Sequence, residues 1–260
     1  MNIDTFYTDH WRSIEDERIA RYEQMFVWHD AQATLLAPAQ LAPGQRVLDV
    51  GAGPGFFASG LAGLVGDQGR VDGVDINQRF VDDANTRFAA LDNLQFHHIE
   101  DHRLPFADDT FDRVICKNVL EYVPDLMASL QEVQRVVKPG GRVQVIDSDW
   151  GFVVVQPWSK ATVDEFFAAA GPAFNEPFIG RRIAGDLSAL GFTDVTVTLS
   201  PFVDQSGRGL HVLRNMAGYI ATFDTMPEAR VSALLAEVED ALQANRFLFC
   251  LPQFLVVGVK

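Results

Sequence analysis

The chain has 260 residues, 48% of them hydrophobic and 22% charged, ordinary proportions for a globular protein with a full core. That length allows one large α/β domain or a core domain carrying an insertion. The formal net charge of −14 argues against a duplex-DNA or bulk-RNA partner, because such affinity rests on Lys and Arg neutralising phosphates.

The N-terminal run MNIDTFYTDHWRSIEDERIARYE is too polar for a signal peptide, and no apolar stretch approaches the roughly 18 residues of a membrane helix. The expectation is a cytoplasmic protein with no membrane partner. The first forty residues read as helical, with Ile19, Tyr22, Met25 and Phe26 near helical spacing. Tyr7 and Trp11 in this stretch either fold over a bound ligand as a lid or pack into the core. Pro43-Gly44 then marks a turn.

From there short β-rich runs alternate with helical stretches. RVLDV (46–50) precedes a helix over about 56–65, and RVDGVD (70–75) one over about 77–91. LQFHHI (94–99) leads into a polar loop, and DRVICKN (112–118) into a helix over about 126–137. A KPGG turn (138–141) introduces RVQVID (142–147). Five strands alternating with helices predict a parallel, doubly wound sheet. Helices over about 160–170 and 181–190, and two late strands, DVTVTLS and FLVVGVK, complete the pattern. Between those strands, residues of about 207–245 are helical and longer than a hairpin needs, so they read as a cap beside a ligand site.

In an open parallel sheet, ligands lie at the carboxyl ends of the strands near the switch in strand order. The corner after the first strand, VLDVGAGPGFF (47–57), is therefore the place for a nucleotide. Its glycines fall at 51, 53 and 55, and position 56 is Phe, so the dinucleotide pattern G-x-G-x-x-G is not met. A phosphate-gripping G-x-x-x-x-G-K-[ST] loop is absent as well. Asp49 would repel a pyrophosphate at the following helix N-terminus, but it would favour an ammonium and a sulfonium. That points to S-adenosylmethionine over NAD or ATP. Asp75 ends the next strand, where a carboxylate accepts hydrogen bonds from ribose hydroxyls or caps the turn.

Four stretches in order, VLDVGAGPG, VDGVD, LPFADDTFDRVICKNVLEYVPD and VVKPGGRVQVID, carry a resemblance to the class I S-adenosylmethionine-dependent methyltransferases. The likeness is greatest to the small-molecule group that includes quinone-biosynthesis enzymes, and it covers about residues 40–150. It implies a Rossmann-like, doubly wound α/β fold whose seven-stranded sheet is mostly parallel with the last strand antiparallel, here with a helical cap. It further implies that Gly51, Ala52, Gly53 and Gly55 form the cofactor corner with Asp49 near the ammonium. Asp75 would then hold the ribose, Ile76 the adenine face, and Lys117 and Asn118 the cofactor through backbone groups. Related enzymes end the third strand in Gly-Asp. Here Ile99-Glu100 stand there, with Asp101 and His102 following, so either Glu100 or Asp101 reaches adenine. A single domain over 1–260 follows: a helical lid (1–40), a cofactor-binding core (41–150) and a C-terminal half (151–260) with its cap.

HHIEDH (97–102) looks like a metal cluster, but neighbouring residues of a strand point to opposite faces, and no metal is expected. Glu121 and Tyr122 follow the fourth strand, and Asp149 with Trp150 the fifth, as candidate acceptor contacts or as packed core and turn residues. In the cap, His211, Arg214, Asn215 and Tyr219 share a helical face that is either solvated or turned to a pocket, with His211 and Tyr219 the pocket candidates. Cys116 and Cys250 suggest neither a disulfide nor a metal spacing. The expected activity is in-line methyl transfer (EC 2.1.1.-) to N or O of a small-molecule acceptor, by a monomer or homodimer that binds no nucleic acid. The alternative is a methyltransferase-like protein that binds the cofactor in a non-methylating or regulatory role.

Overall fold

A computed structural model describes residues 3–14, 19, 22–23 and 27–260. Ten strands and eight α-helices of at least seven residues run in chain order through these residues. They are α1 (Phe6–Arg12), β1 (Arg46–Val50), α2 (Phe56–Val65), β2 (Arg70–Asp75), α3 (Gln78–Arg87) and β3 (Leu94–His98). Next come β4 (Phe111–Lys117), α4 (Leu126–Val136), β5 (Val137–Ser148), β6 (Val154–Gln156), α5 (Lys160–Ala169) and α6 (Ile179–Ala189). The last are β7 (Thr193–Ser200), β8 (Val203–Asp204), α7 (Leu210–Phe223), α8 (Glu228–Gln243), β9 (Leu248–Cys250) and β10 (Gln253–Val259).

The main sheet has seven strands in the order β3-β2-β1-β4-β5-β10-β7. The first five are parallel, while β10 runs antiparallel to both β5 and β7. The central strands are apolar on both faces, as helix-covered parallel strands must be: Val47 and Leu48 of β1 and Val114, Ile115 and Cys116 of β4 are fully buried. The strand order reverses between β1 and β4, which opens a crevice at their carboxyl ends.

Caps fix where the helices begin. The Asn77 side chain accepts from Phe80 N at α3, Asp125 from Ala128 N at α4, and Ser159 from Thr162 N at α5. α3 ends at Arg87, short of the predicted 91. β5 starts at Val137, five residues before the predicted strand, because the KPGG segment is a bulge within it. Phe111 pairs with Val137, the register shifts, and Arg113 pairs with Arg142.

A second sheet, β6-β9-β8, is antiparallel and was not legible in the sequence, because strands of two or three residues carry no alternation. Residues 207–245 are helical as expected, split into α7 and α8 by left-handed Asp224 and by Pro227. α7 buries Leu213, Met216, Ile220 and Phe223, and α8 buries Leu234 and Val238. Together with Phe166 of α5 and Phe249 of β9 they form a core of their own beside the sheet. At the N-terminus, Ile19 and Tyr22 pack with Ile14 and Phe80, while Met25 and Phe26 lie outside the described residues. Among the described residues, no helix is long and apolar enough to cross a membrane.

Candidate active site

The corner after β1 is built by backbone geometry that only glycine takes easily. Gly51 and Gly53 have φ of 72° and 53°, and the N–H groups of Gly51 and Ala52 both donate to Val74 O. A Cβ on Gly51 would lie 2.3 Å from Cγ2 of Val119, so the corner also needs the space. Asp75, at the end of β2, accepts from Gly53 N at 2.7 Å and from Asn77 N at 2.8 Å, which ties the corner to the second strand.

A cavity of about 330 Å³ opens over these strand ends. Of the residues expected at the site, it brings together Asp49, Gly51, Ala52, Gly53, Asp75, Ile76, Asp101, His102, Lys117, Asn118, Tyr122 and Trp11. α1 contributes Thr8, Trp11 and Arg12, an i, i+3, i+4 face that turns towards the cavity. Thr8, Arg12 and Phe80 carried no sequence signal for this, because a single polar or aromatic residue on a short helix matches no pattern.

The electrostatics centre on buried carboxyl groups. Asp49 is 2% exposed, and its Oδ2 has no hydrogen-bond partner among the described residues. Burial pushes its pKa up to about 8, against a downward pull from Lys117 and with a further push from Asp75. Burial also raises Asp75, opposed by the N–H groups of Asn77 and Gly53, and it lowers Lys117. Asp147, the first of the two carboxylates in IDSDWG, lies near the end of β5. Burial carries it to about 7, although the backbone N–H groups of Ser148, Val119 and Leu120 favour its charged form. A buried carboxylate with an open lone pair beside a cavity is a receptor for a cation.

Seven expected residues do not line the cavity. Gly55 caps α2 at φ 85°, and a Cβ there would meet Phe96 at 2.7 Å and Ala84 at 2.9 Å, so it serves close packing of helix and strand. Glu100 is exposed and presents its carbonyl to Arg12 Nη2 at 2.7 Å, which leaves Asp101 as the acidic neighbour of the cavity. Tyr7 is half-buried beyond the edge of the α1 face. Glu121 is buried beneath the site and accepts from Trp150 Nε1 at 2.7 Å. Asp149 is fully buried in a two-pronged ion pair with Arg181, at 2.5 and 2.7 Å, and accepts from Gly151 N. His211 is exposed on the outer face of α7.

Tyr219 is buried in the second core, its hydroxyl 3.4 Å from His10 Nε2. None of residues 207–245 lines the cavity, so α1 covers it and the cap does not. In HHIEDH, His97 bonds to Asp72 at 3.0 Å and His98 to the Ile76 carbonyl at 3.1 Å.

One wall of the cavity is aromatic. Trp11 stacks on Tyr22 at 5.2 Å and meets Tyr122 edge-on at 5.0 Å, and Tyr122 stacks in turn on Phe174 at 5.5 Å. Behind them stand His10, Phe6 and Tyr219.

The family model described as a methyltransferase domain matches residues 41–176. The chain is similar to a demethylmenaquinone methyltransferase of Staphylococcus epidermidis, 30% identical over 206 residues, 78% of this chain and 83% of that one. It is also 30% identical over 179 residues to a ubiquinone/menaquinone biosynthesis C-methyltransferase of Coxiella burnetii, covering 67% of this chain and 66% of the other. Phosphoethanolamine N-methyltransferase 2 of Haemonchus contortus, solved in complex with S-adenosyl-L-methionine, shares the fold. Its TM-score is 0.65 at 20% identity, over 100% of this chain and 60% of that one.

Proposed function

Because the chain belongs to the methyltransferase domain family, we propose that this S-adenosylmethionine-dependent methyltransferase methylates a small hydroxylated aromatic molecule held against Trp11 and Tyr122. The residues present fit the cofactor. The open Oδ2 of Asp49 suits its ammonium, and the Gly51–Gly53 corner, where a Cβ would strike Val119, suits close backbone approach. Asp75 is assigned to the ribose hydroxyls, Ile76 to one adenine face and Asp101 with His102 to the adenine edge. Lys117 and Asn118 line the opposite side. When bound, S-adenosylmethionine supplies an electrophilic methyl group on sulfur.

The chain's own work is alignment and exclusion of water. Trp11 and Tyr122, already in edge contact, would present one wall against which a flat ring lies, and Thr8 and Arg12 would close the mouth. Burial, the Asp147 charge and a dry setting raise Glu121 well above the ordinary carboxyl range, despite its bond from Trp150. Burial raises the Tyr122 hydroxyl well above its usual value as well, with the Glu121 charge beside it adding to the rise. Burial thus disfavours the charged form of both groups, which favours an acceptor that is already electron-rich, such as a phenolate or a quinol ring.

The aromatic wall is the observation that carries this reading. It extends the expected nitrogen or oxygen acceptor to ring carbon, in keeping with the relative named as a C-methyltransferase. Incubation with S-adenosylmethionine and a panel of quinols, catechols, phenols and amines tests it by mass spectrometry. A hydroxylated aromatic should gain one CH₂, with nuclear magnetic resonance locating the methyl. Turnover of amines alone would overturn the proposal.

A further inference from the structure

Seven of the ten large hydrophobic residues exposed among the described residues lie in one region, around β7 and the small sheet. They are Phe152, Val154, Phe178, Val197, Leu199, Phe202 and Val203. Their contiguity follows from the packing. Leu199 pairs with Phe254, whose ring meets Phe152 at 5.3 Å, and the Arg181 guanidinium covers both Phe152 and Phe178. Val154 and Val203 flank Cys250 on one row of the small sheet. β7 is also the outer strand of the main sheet, so one backbone edge of an eight-residue strand has no neighbouring strand among the described residues. Six of its eight residues are exposed.

We propose that this face is a homodimer interface in which β7 pairs antiparallel with β7 of a second copy, about a twofold axis at Val197. The proposal is independent of the acceptor and of the methyl-transfer reading. In that register Val197 meets Val197 of the partner subunit, Val195 meets the partner subunit's Leu199, and Thr196 meets the partner subunit's Thr198. Apolar residues then oppose apolar residues on one face and threonines oppose threonines on the other, as cross-strand pairing prefers.

Charge restricts how two copies can meet. Each chain carries −14, so two copies can approach only where like charges are kept apart. In β7 the lone carboxylate, Asp194, would face the partner subunit's Ser200. Next to the strand, Asp149 is paired with Arg181, and Asp204 lies near Arg208. A lipid surface fits less well, because it offers no partners for the strand's N–H and C=O groups and its acidic headgroups repel the chain. The seven side chains leave roughly 600 Å² open per copy, and a standard interface buries about 800 Å² on each partner, a gap that the β7 backbone and threonines fill.

Sedimentation velocity on the full chain across a dilution series should give twice the chain mass. Val197→Lys places two ammonium groups across the axis and should give a folded monomer that still melts cooperatively and binds S-adenosylmethionine as the wild type does. Val197→Cys should form a disulfide-linked dimer under mild oxidation, whereas the wild type and His211→Cys should not. A wild-type monomer at every concentration, or a Val197→Lys protein that remains dimeric, would overturn the proposal. So would a V197K effect seen only as lost binding to phosphatidylcholine vesicles.

Discussion

Asp49 holds the strongest single-residue leverage on cofactor binding. With its pKa near 8 in the unliganded protein, it is mostly protonated at neutral pH, and a cationic ligand selects the ionised form. Binding below pH 8 therefore releases a proton, and affinity should rise between pH 6 and 8 by up to about tenfold per unit, or ~1.4 kcal/mol. Titration calorimetry in buffers of different ionisation enthalpy reads both the affinity and the proton. Asp49→Asn should bind more weakly and flatten the profile, and a flat wild-type profile would remove Asp49 from the ammonium.

Asp75→Ala should weaken the cofactor by about 1.5–3 kcal/mol, the range for bonds to a charged group. It should also lower the melting temperature, because Gly53 N and Asn77 N lose their acceptor. Unchanged affinity in a folded variant would leave Asp75 as a turn cap. Gly51→Ala combines a left-handed φ with the Val119 contact, so binding should be lost by that change even where folding survives.

Among elements, α1 borders the cavity, in line with the lid reading of its sequence, whereas α7 does not take the cap role that the sequence suggests. α1 is short, yet its inner face closes the cavity, and Trp11→Ala should cut methyl transfer and cofactor affinity together. α7 is a structural element whose apolar face is consumed by the second core. His211→Ala, on its outer face, should leave activity and stability unchanged. Tyr219→Ala should cost about 3–5 kcal/mol in denaturant unfolding, as for other large aromatic truncations in a core, because it empties a site packed by Phe6, Phe174 and Phe223. A His211→Ala protein with altered acceptor selectivity would restore the cap as a substrate lid.

At the scale of the whole molecule, stability without ligand depends on carboxyls shifted in opposite directions. Burial raises Asp49 to about 8 and Asp147 to about 7, so their stabilising protonated forms are lost as pH rises from about 4 through those values. Other carboxyls run the opposite way. The Arg135 bond holds Glu132 at about 2, and Asp72 and Asp204 reach about 2 where hydrogen bonds outweigh burial, so their contribution is lost only as pH falls below about 4. The melting temperature should therefore peak near pH 5 and fall towards pH 8. Asp147→Asn should reduce the alkaline slope, and S-adenosylmethionine should reduce it further by stabilising ionised Asp49. A melting temperature that rises from pH 5 to 8 would contradict the assignment.

The sequence by itself determined the strand and helix order through residue 147, the glycine corner and the two carboxylates that flank it. These features are local: β1 is apolar on both faces, Gly51 and Gly53 need left-handed backbone, and Asp49 and Asp75 are placed by the strand ends they occupy. Only the tertiary structure decided which neighbours those elements meet. Asp149 is held by Arg181, thirty-two residues away, and Gly55 is filled by Phe96 and Ala84. Asp101 and Glu100 adjoin in an irregular loop where no periodicity tells one orientation from the other. Trp11 reaches the cavity from a seven-residue helix, and His211 points outward because α7 turns its apolar face to α5, α8 and β9. A helix pattern records that one face is apolar, but the element that covers it fixes which polar residues remain to meet a ligand.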